Sequence, residues 1–462
     1  SFIRIIRAMQ TTVPRRLARF HASSPSLLLP ITASTRHFGT VQLQQSPEAR
    51  SVNHAPTLMS GSEAFVETLV SHGVTDVFGI VGSAFMDALD LFPEAGIRFI
   101  STQHEQNSAH MADGYARISG KHGVCTAQNG PGITNFVTGI AAAYWAHSPV
   151  VAITPECGSN TKGLGGFQEC DQLPLFSTIT KYQANIVNSS RIAEMTSRAF
   201  DYAMYERGPT QINVARDLFY AQHTYSVPKP RTIEYPAANP AVIQQAIEVL
   251  SKAKNPCILA GGGALMSGGK DSVAAVRQLA EFLGCPVATT YLHNDSYPST
   301  DSLAVGPLGY QGFESAMKCI HESDVILAIG TRMNPFGTLP QYGFEYWPKK
   351  ENCKIIQIEL DQRRLGLTIA GEDNVYVAGD ARLCSQQILA GMQQLDAAKI
   401  KCLETKQQRL QRVAQYKQEW ESKLNEWTTQ LNAEYARENK IRPRKALRAL
   451  ETALQGKNAV VS

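Results

Sequence analysis

A carboxyl stands in a dense run of polar residues, His104-Glu105-Gln106-Asn107-Ser108-Ala109-His110. Further along, Gly130-Pro131-Gly132 leads into Ile133-Thr134-Asn135. These residue types suit two tasks. A carboxyl can exchange a proton with a ligand atom, and glycines let the backbone approach a ligand closely. Taken alone, a glutamate in the first turn of a helix is an ordinary surface group favoured by the helix dipole. Gly82 offers either close approach or a plain strand-end turn, and Gly130-Pro131-Gly132 either lines a ligand or only makes a tight turn. His104 and His110 have acid–base chemistry, but lone histidines are more often structural, and His110 gets little weight. Gly261-Gly262-Gly263 follows another apolar run. It could hold a dinucleotide phosphate, yet the full G-x-G-x-x-G pattern is not clean, and an empty structural turn is the favoured reading.

The elements that must position these residues are legible from residue 60 onward. Ser60-Gly61-Ser62-Glu63 is a capping-box signature, and Phe65, Val66, Leu69 and Val70 continue at helical spacing until Gly73. Runs 77–81, 98–101, 123–128 and 150–154 read as strands. Helices are expected over 106–117, closed by Gly120, and over 133–146. Alternation of strand and helix argues for a parallel sheet covered on both faces, with ligands beyond the carboxyl ends of its strands. Gly82, Glu105 and Gly130 all fall just after strands. The proline-rich stretch 226–240 reads as a linker. A second α/β unit follows, with strands at 256–260, 325–330 and 354–360 and a helix from the glycines to residue 283. Residues 387–437 are polar and helical in composition, a helix lying on a domain surface rather than a coiled coil. A helix at 443–454 and a strand at 458–462 close the sequence.

The stretch His104–Arg117, with Ser119-Gly120-Lys121 and Gly130-Pro131-Gly132-Ile133-Thr134-Asn135, resembles the pyrimidine-binding domain of the thiamine-diphosphate enzymes of the acetolactate synthase group. A narrower resemblance, to the sulfoacetaldehyde acetyltransferase family, is carried by several motifs. They are Gly79-Ile80-Val81-Gly82-Ser83-Ala84, Ala127-Gln128-Asn129, Ala143-Tyr144-Trp145-Ala146-His147-Ser148-Pro149, Gly163-Leu164-Gly165-Gly166-Phe167-Gln168-Glu169, Thr180-Lys181-Tyr182-Gln183, and residues 356–368. Val81 before Gly82 departs from the proline usual in acetolactate synthases.

The resemblance implies an α/β thiamine-diphosphate-binding fold. It has a parallel-sheet pyrimidine domain (56–222), a Rossmann-like central domain (237–395), a helical linker (396–440) and the start of a truncated diphosphate-binding domain (441–462). It implies that Glu105 is catalytic, bonding the pyrimidine ring nitrogen and driving the tautomer change by which the cofactor activates itself. That role leads us to expect a water-poor setting for Glu105. Val81, Gly82, Glu105, Gly130, Pro131 and Asn135 become cofactor-binding residues, and Phe167 and Gln168 substrate residues. Mg2+ is implied, but its ligands are expected in the missing domain, so no metal ligand is named and this fragment alone is expected to be inactive. The implied reaction converts sulfoacetaldehyde and phosphate to acetyl phosphate and sulfite in a homodimer or homotetramer. An acetolactate synthase-like carboligase of 2-oxo acids, and a non-catalytic regulatory or structural subunit, are the alternatives.

Composition bounds the rest. The 462 residues are 43% hydrophobic and 18% charged, an ordinary globular balance with room for two or three domains. No apolar run is long enough to span a bilayer. Net charge is only +4, without a basic stripe, so neither nucleic acid nor membrane is an expected partner. The nine cysteines form no C-x-x-C pair, which disfavours zinc and suggests a reduced compartment. Residues 1–50 carry seven arginines, many Ser and Thr, and Glu48 as their one acid. That composition reads as a transit peptide and a mitochondrial location, with a disordered tail and a cytoplasmic location as alternatives.

Overall fold

The strands are short, the central ones are buried along their whole length, and they sort their side chains onto two faces. In the computed structural model, which describes residues 51–338, 345–348, 352–437 and 440–456, these strands build two six-stranded parallel sheets. The first holds β2 (Asp76–Gly79), β3 (Arg98–Ser101), β4 (Gly123–Thr126), β5 (Val150–Glu156), β6 (Tyr182–Ile186) and β7 (Thr210–Ala215). A two-stranded antiparallel ribbon, β1 (Thr57–Ser60) with β8 (Gln222–Tyr225), joins its two chain ends. Adjacent strand residues alternate between faces. Val77, Val124 and Val151 enter one apolar core with Phe65, Leu69 and Phe200. Phe78, Cys125 and Ala152 enter another with Ala109, Ala112, Ile133 and Ile140. Burial on both faces is why these strands lack a polar alternation.

The strand order is β3-β2-β4-β5-β7-β6. The chain steps outward from β2 to β3 and then returns to β4 on the other side of β2. That reversal opens a crevice at the carboxyl ends of β2 and β4, where open α/β sheets bind ligands. The turns carrying Val81, Gly82 and Gly130 leave from those two strand ends, and the turn carrying Glu105 leaves from β3.

The second sheet repeats the plan. It contains β9 (Pro256–Ala260), β10 (Val287–Thr290), β11 (Ala304–Leu308), β12 (Val325–Ile329), β13 (Lys354–Glu359) and β14 (Val375–Ala378), in the order β11-β10-β9-β12-β13-β14. Its reversal lies between β9 and β12. The 32-residue helix Lys406–Arg437 lies along this unit with Val413 and Trp420 buried. Arg409 anchors the helix. Only 3% exposed, it donates to the carbonyls of Lys254, Leu283, Gly284 and Cys402, two of them at the end of the helix Lys270–Leu283. Helix ends leave such carbonyls unsatisfied, so one buried guanidinium serves several at once.

Several expected elements differ in their bounds. The helix expected over 133–146 is two, Pro131–Thr134 and Val137–Ala146, parted at Asn135-Phe136. The helix running to residue 283 is also two, Gly262–Met266 and Lys270–Leu283. Gly268 and Gly269, both at positive φ, break it. The polar run 387–437 is divided among Ala381–Gln393, Lys401–Glu404 and Lys406–Arg437. The run 150–154 extends through Pro155 to Glu156. The helix Pro443–Leu454 stands as expected, while residues 1–50 and the expected strand 458–462 lie outside the described residues.

Candidate active site

Glu105 opens the helix Glu105–Ser119. His104 is its N-cap, and the ring Nδ1 accepts from the Gln106 N–H at 3.1 Å. His104 therefore has a structural task, satisfying one of the helix's orphan donors. Gly120 ends the helix in the left-handed region at φ 68°. The helix lies against Val137–Ala146 at very short range. A Cβ on Gly139 would stand 2.5 Å from the Ala109 Cβ, so only glycine permits this approach. The close crossing brings the end of the preceding short helix up to Glu105. Asn135 Nδ2 donates to Glu105 Oε2 at 2.9 Å. Gly132 leaves the other oxygen its room, since a Cβ there would lie 3.3 Å from Oε1. Glu105 is half-buried rather than sealed from water, a more open setting than its sequence suggested.

Around this carboxyl the other turns are bound together by amides. Gly82 is bare because the Gln128 side chain crosses it, and a Cβ at Gly82 would lie 2.8 Å from the Gln128 Cβ. Gln128 Oε1 accepts from the Ala84 N–H, and Gln128 Nε2 donates to Asn129 Oδ1. Asn129 Nδ2 in turn donates to the carbonyls of Phe167 and Gln168 at 2.9 and 3.0 Å. Gln172, fully buried, accepts from the Gly130 N–H at 2.9 Å and donates to the Pro155 carbonyl and Asn213 Oδ1. Gly130 sits at φ 70°, and a Cβ on it would come within 2.2 Å of the Gln168 carbonyl oxygen. The relay thus couples the β2, β4 and β5 turns.

The loop 163–169 has its own clasp. The Glu169 carboxylate accepts from the N–H groups of Gly163, Gly165 and Gly166. Those backbone donors hold its carboxyl below the usual range. Lys162 pairs with the buried Glu156 carboxylate at 3.0 Å. Gln168 occupies the left-handed region at φ 54°, and its Oε1 is buried without a hydrogen-bond partner. A strained residue with an unsatisfied buried group points to a function for that side chain. Phe167, beside it, is 75% exposed, and Val81 is 60% exposed.

The structure thus brings Glu105, Gly130, Gly132 and Asn135 together, with Gly82 and Gln168 packed on the adjoining Gln128–Gly130 turn. Pro131 is exposed and acts as the first residue of its short helix, where its missing N–H costs nothing. Gln128, Asn129 and Gln172 are the residues that sequence reasoning left without a role. The first two stand inside quoted motifs, whereas Gln172 lies outside them all, and only the fold reveals that it is buried.

A cleft of about 520 Å3 lies elsewhere. It is lined by Trp145, Arg207, Gly262 and Arg332, and also by Arg117, twelve residues along the helix from Glu105. At 1.5 Å per residue that is roughly 18 Å away. Glu105 is therefore a candidate by its side-chain surroundings, not by cavity size. Gly261 and Gly263 are bare because they pack against Gly330, and Gly262 because it packs against the His293 ring. All nine cysteines are free thiols; seven are buried, while Cys157 and Cys170, flanking the 163–169 loop, are half-buried. Among the described residues, no group of three or more His, Cys, Asp or Glu could hold a metal ion, and no helix is long and apolar enough to cross a membrane.

Comparison with known proteins agrees with this architecture. Residues 59–175 match the family described as "Thiamine pyrophosphate enzyme, N-terminal TPP binding domain", and residues 243–388 match its central domain. The sulfoacetaldehyde acetyltransferase of Alcaligenes xylosoxydans xylosoxydans is 50% identical over 86% of this chain and 66% of its own length. That of Castellaniella defragrans is 47% identical over 88% of this chain and 68% of its own. The acetolactate synthase large subunit of Buchnera aphidicola is more distant, at 32% over 88% of this chain and 68% of its own. The chain thus spans about two thirds of the length of these relatives.

One expectation is overturned. The relatives named sulfoacetaldehyde acetyltransferase are bacterial, and nothing supports a mitochondrial address. An arginine-rich, acid-poor stretch is a compositional signal only, and residues 1–50 lie outside the described structure. Two domain matches, two parallel sheets and relatives at 47–50% identity lead to one conclusion: the chain belongs to the thiamine pyrophosphate enzymes, on the branch of the sulfoacetaldehyde acetyltransferases.

Proposed function

We propose that this protein uses thiamine diphosphate to convert sulfoacetaldehyde and phosphate into acetyl phosphate and sulfite. The observation that carries the reading is the Glu105 carboxyl, tethered by Asn135 and given room by Gly132 beside the first sheet's switch point. The residues present fit the cofactor's pyrimidine ring. Glu105 has one oxygen unclaimed by any described residue, Gly82 and Gly130 bring backbone close, and Val81 offers an exposed apolar side chain. Bound there, the cofactor supplies the electron sink that the acyl transfer requires. Glu105 holds and returns a proton at its free oxygen. Val81, Gly82, Gly130, Pro131 and Asn135 shape the surface that orients the ring. Phe167 shields one side from water, and the Gln168 amide supplies a polar contact for the substrate. A half-turn of that amide exchanges its acceptor for its donors, so it can meet a sulfonate oxygen.

Mg2+ and a homodimeric or homotetrameric assembly belong to the same reading, as does action on a small molecule. The test is product analysis on the full-length enzyme, with thiamine diphosphate and Mg2+ supplied. Sulfite and acetyl phosphate should form from sulfoacetaldehyde and phosphate, and Glu105→Gln should lower the rate by about 10²–10⁴-fold, the usual worth of a positioned acid–base group. Acetolactate from pyruvate, with no sulfite released, would refute the substrate assignment.

A further inference from the structure

We infer that Asn135 is a positioning residue that decides which oxygen of Glu105 carries the exchangeable proton; this rests on the role just proposed for Glu105. The Asn135 amide nitrogen stands 2.9 Å from Glu105 Oε2. That nitrogen bears two donors and does not accept. Oε2 is therefore the accepting oxygen in either state of the carboxyl, and a proton on Glu105 resides on Oε1. Oε1 makes no hydrogen bond with the described residues and adjoins Gly132, where a Cβ would stand 3.3 Å away. One oxygen is held and the other is left open for a ligand nitrogen. When Glu105 gives up its proton, the proton leaves Oε1, and the remaining charge is steadied at Oε2 by the amide N–H. When the proton returns, it returns to Oε1, because Oε2 already faces a hydrogen.

The local structure is built for this contact. Gly139 against Ala109 sets the two helices close enough for a short amide to reach the carboxyl. The break between Pro131–Thr134 and Val137–Ala146 falls at Asn135 itself. Asn135 is half-buried, so its contact with Glu105 is partly shielded from competing water.

Two variants test the inference in the full chain. Asn135→Ala removes the donor. Asn135→Asp keeps the shape but turns an acceptor toward Oε2, and it covers the case in which Asn135→Ala does not fold. The first measurement needs no cofactor. The infrared carboxylate stretch of Glu105, identified by its absence in Glu105→Gln, should shift in both variants, while their thermal midpoints stay near the parent's. The second measurement is steady-state kinetics of the same variants in the full-length enzyme, with thiamine diphosphate and Mg2+. In both variants kcat should fall about ten- to a hundredfold, the worth of a hydrogen bond to a charged group, with a smaller change in KM for the cofactor. An unmoved Glu105 band in both variants, or parent-like kcat despite a moved band, overturns the positioning role while Glu105→Gln remains inactive. Full turnover by Glu105→Gln would instead remove the role proposed for Glu105, and this inference would fall with it.

Discussion

Gln168 concentrates several unusual features on one residue. It holds a left-handed backbone that costs a side-chain-bearing residue about 1–2 kcal/mol, and it buries an oxygen with no partner. Its carbonyl, by contrast, is fixed by Asn129 at 3.0 Å. The backbone is thus anchored, while the amide oxygen is left without a partner. Gln168→Ala should lower kcat/KM for sulfoacetaldehyde by about 1–3 kcal/mol of transition-state stabilisation, the cost of a lost buried hydrogen bond. Affinity for thiamine diphosphate should be nearly unchanged. Steady-state kinetics alongside cofactor calorimetry checks both halves, and a loss confined to cofactor binding would count against the substrate role.

At the scale of elements, three turns meet because amides tie them, and Gly130 is where they meet. Substituting Gly130→Ala forces a side chain into positive φ and drives its Cβ against the Gln168 carbonyl. We expect a stability loss of about 1–2 kcal/mol from the backbone alone, with faster proteolysis of the 163–169 loop. Urea midpoints and timed digestion would show it, and a variant as stable and protease-resistant as the parent would contradict the packing described. This contact was not legible beforehand. The sequence shows the Gly-Pro-Gly turn and the Gly-rich loop, but thirty residues separate them, and only the sheet order makes them neighbours. The capping box at Ser60 and Glu63, the helix from Glu105 to Gly120 and the strand Pro256–Ala260 were legible because each rests on local chemistry or periodicity. Asn135 was visible as a motif residue, yet its direction toward Glu105 rather than outward to a ligand depends on a helix crossing that local pattern does not encode. Gln172 was hidden for a related reason: a buried glutamine reads like any polar loop residue until its partners are known.

Across the whole molecule, the first unit holds a half-buried pair of histidines that bears on its acid stability. His72 and His122 meet edge to face at 5.9 Å, both against Phe200. His72 bonds Ser197 Oγ at 2.9 Å and His122 bonds the Phe200 carbonyl at 2.9 Å. Burial, and for His72 also the neighbouring His122, pushes them down to about 3 and about 4, from an ordinary 6.5. Below pH 6.5 the unfolded chain takes up protons that the folded chain refuses. Stability from this pair is therefore complete above pH 6.5 and falls as pH drops toward 4, by at most about 1.4 kcal/mol per pH unit for each histidine. Urea midpoints between pH 7 and 4.5 should decline, and His122→Phe should flatten that decline; an equal slope in parent and variant would refute it. The distribution of sulfur has another consequence. Burial first, then the Glu169 and Glu156 carboxylates, pushes the Cys157 thiol up, and Gly166 lies across it, with a Cβ there 3.8 Å from Sγ. Since the other seven thiols are sealed in cores, a small alkylating reagent at neutral pH should mark only Cys157 and Cys170 in the native protein. With Gly166 beside it, the rate at which the Cys157 adduct appears in a mass spectrum becomes a clock for the state of the loop, and a bound substrate analogue should make that clock run slower.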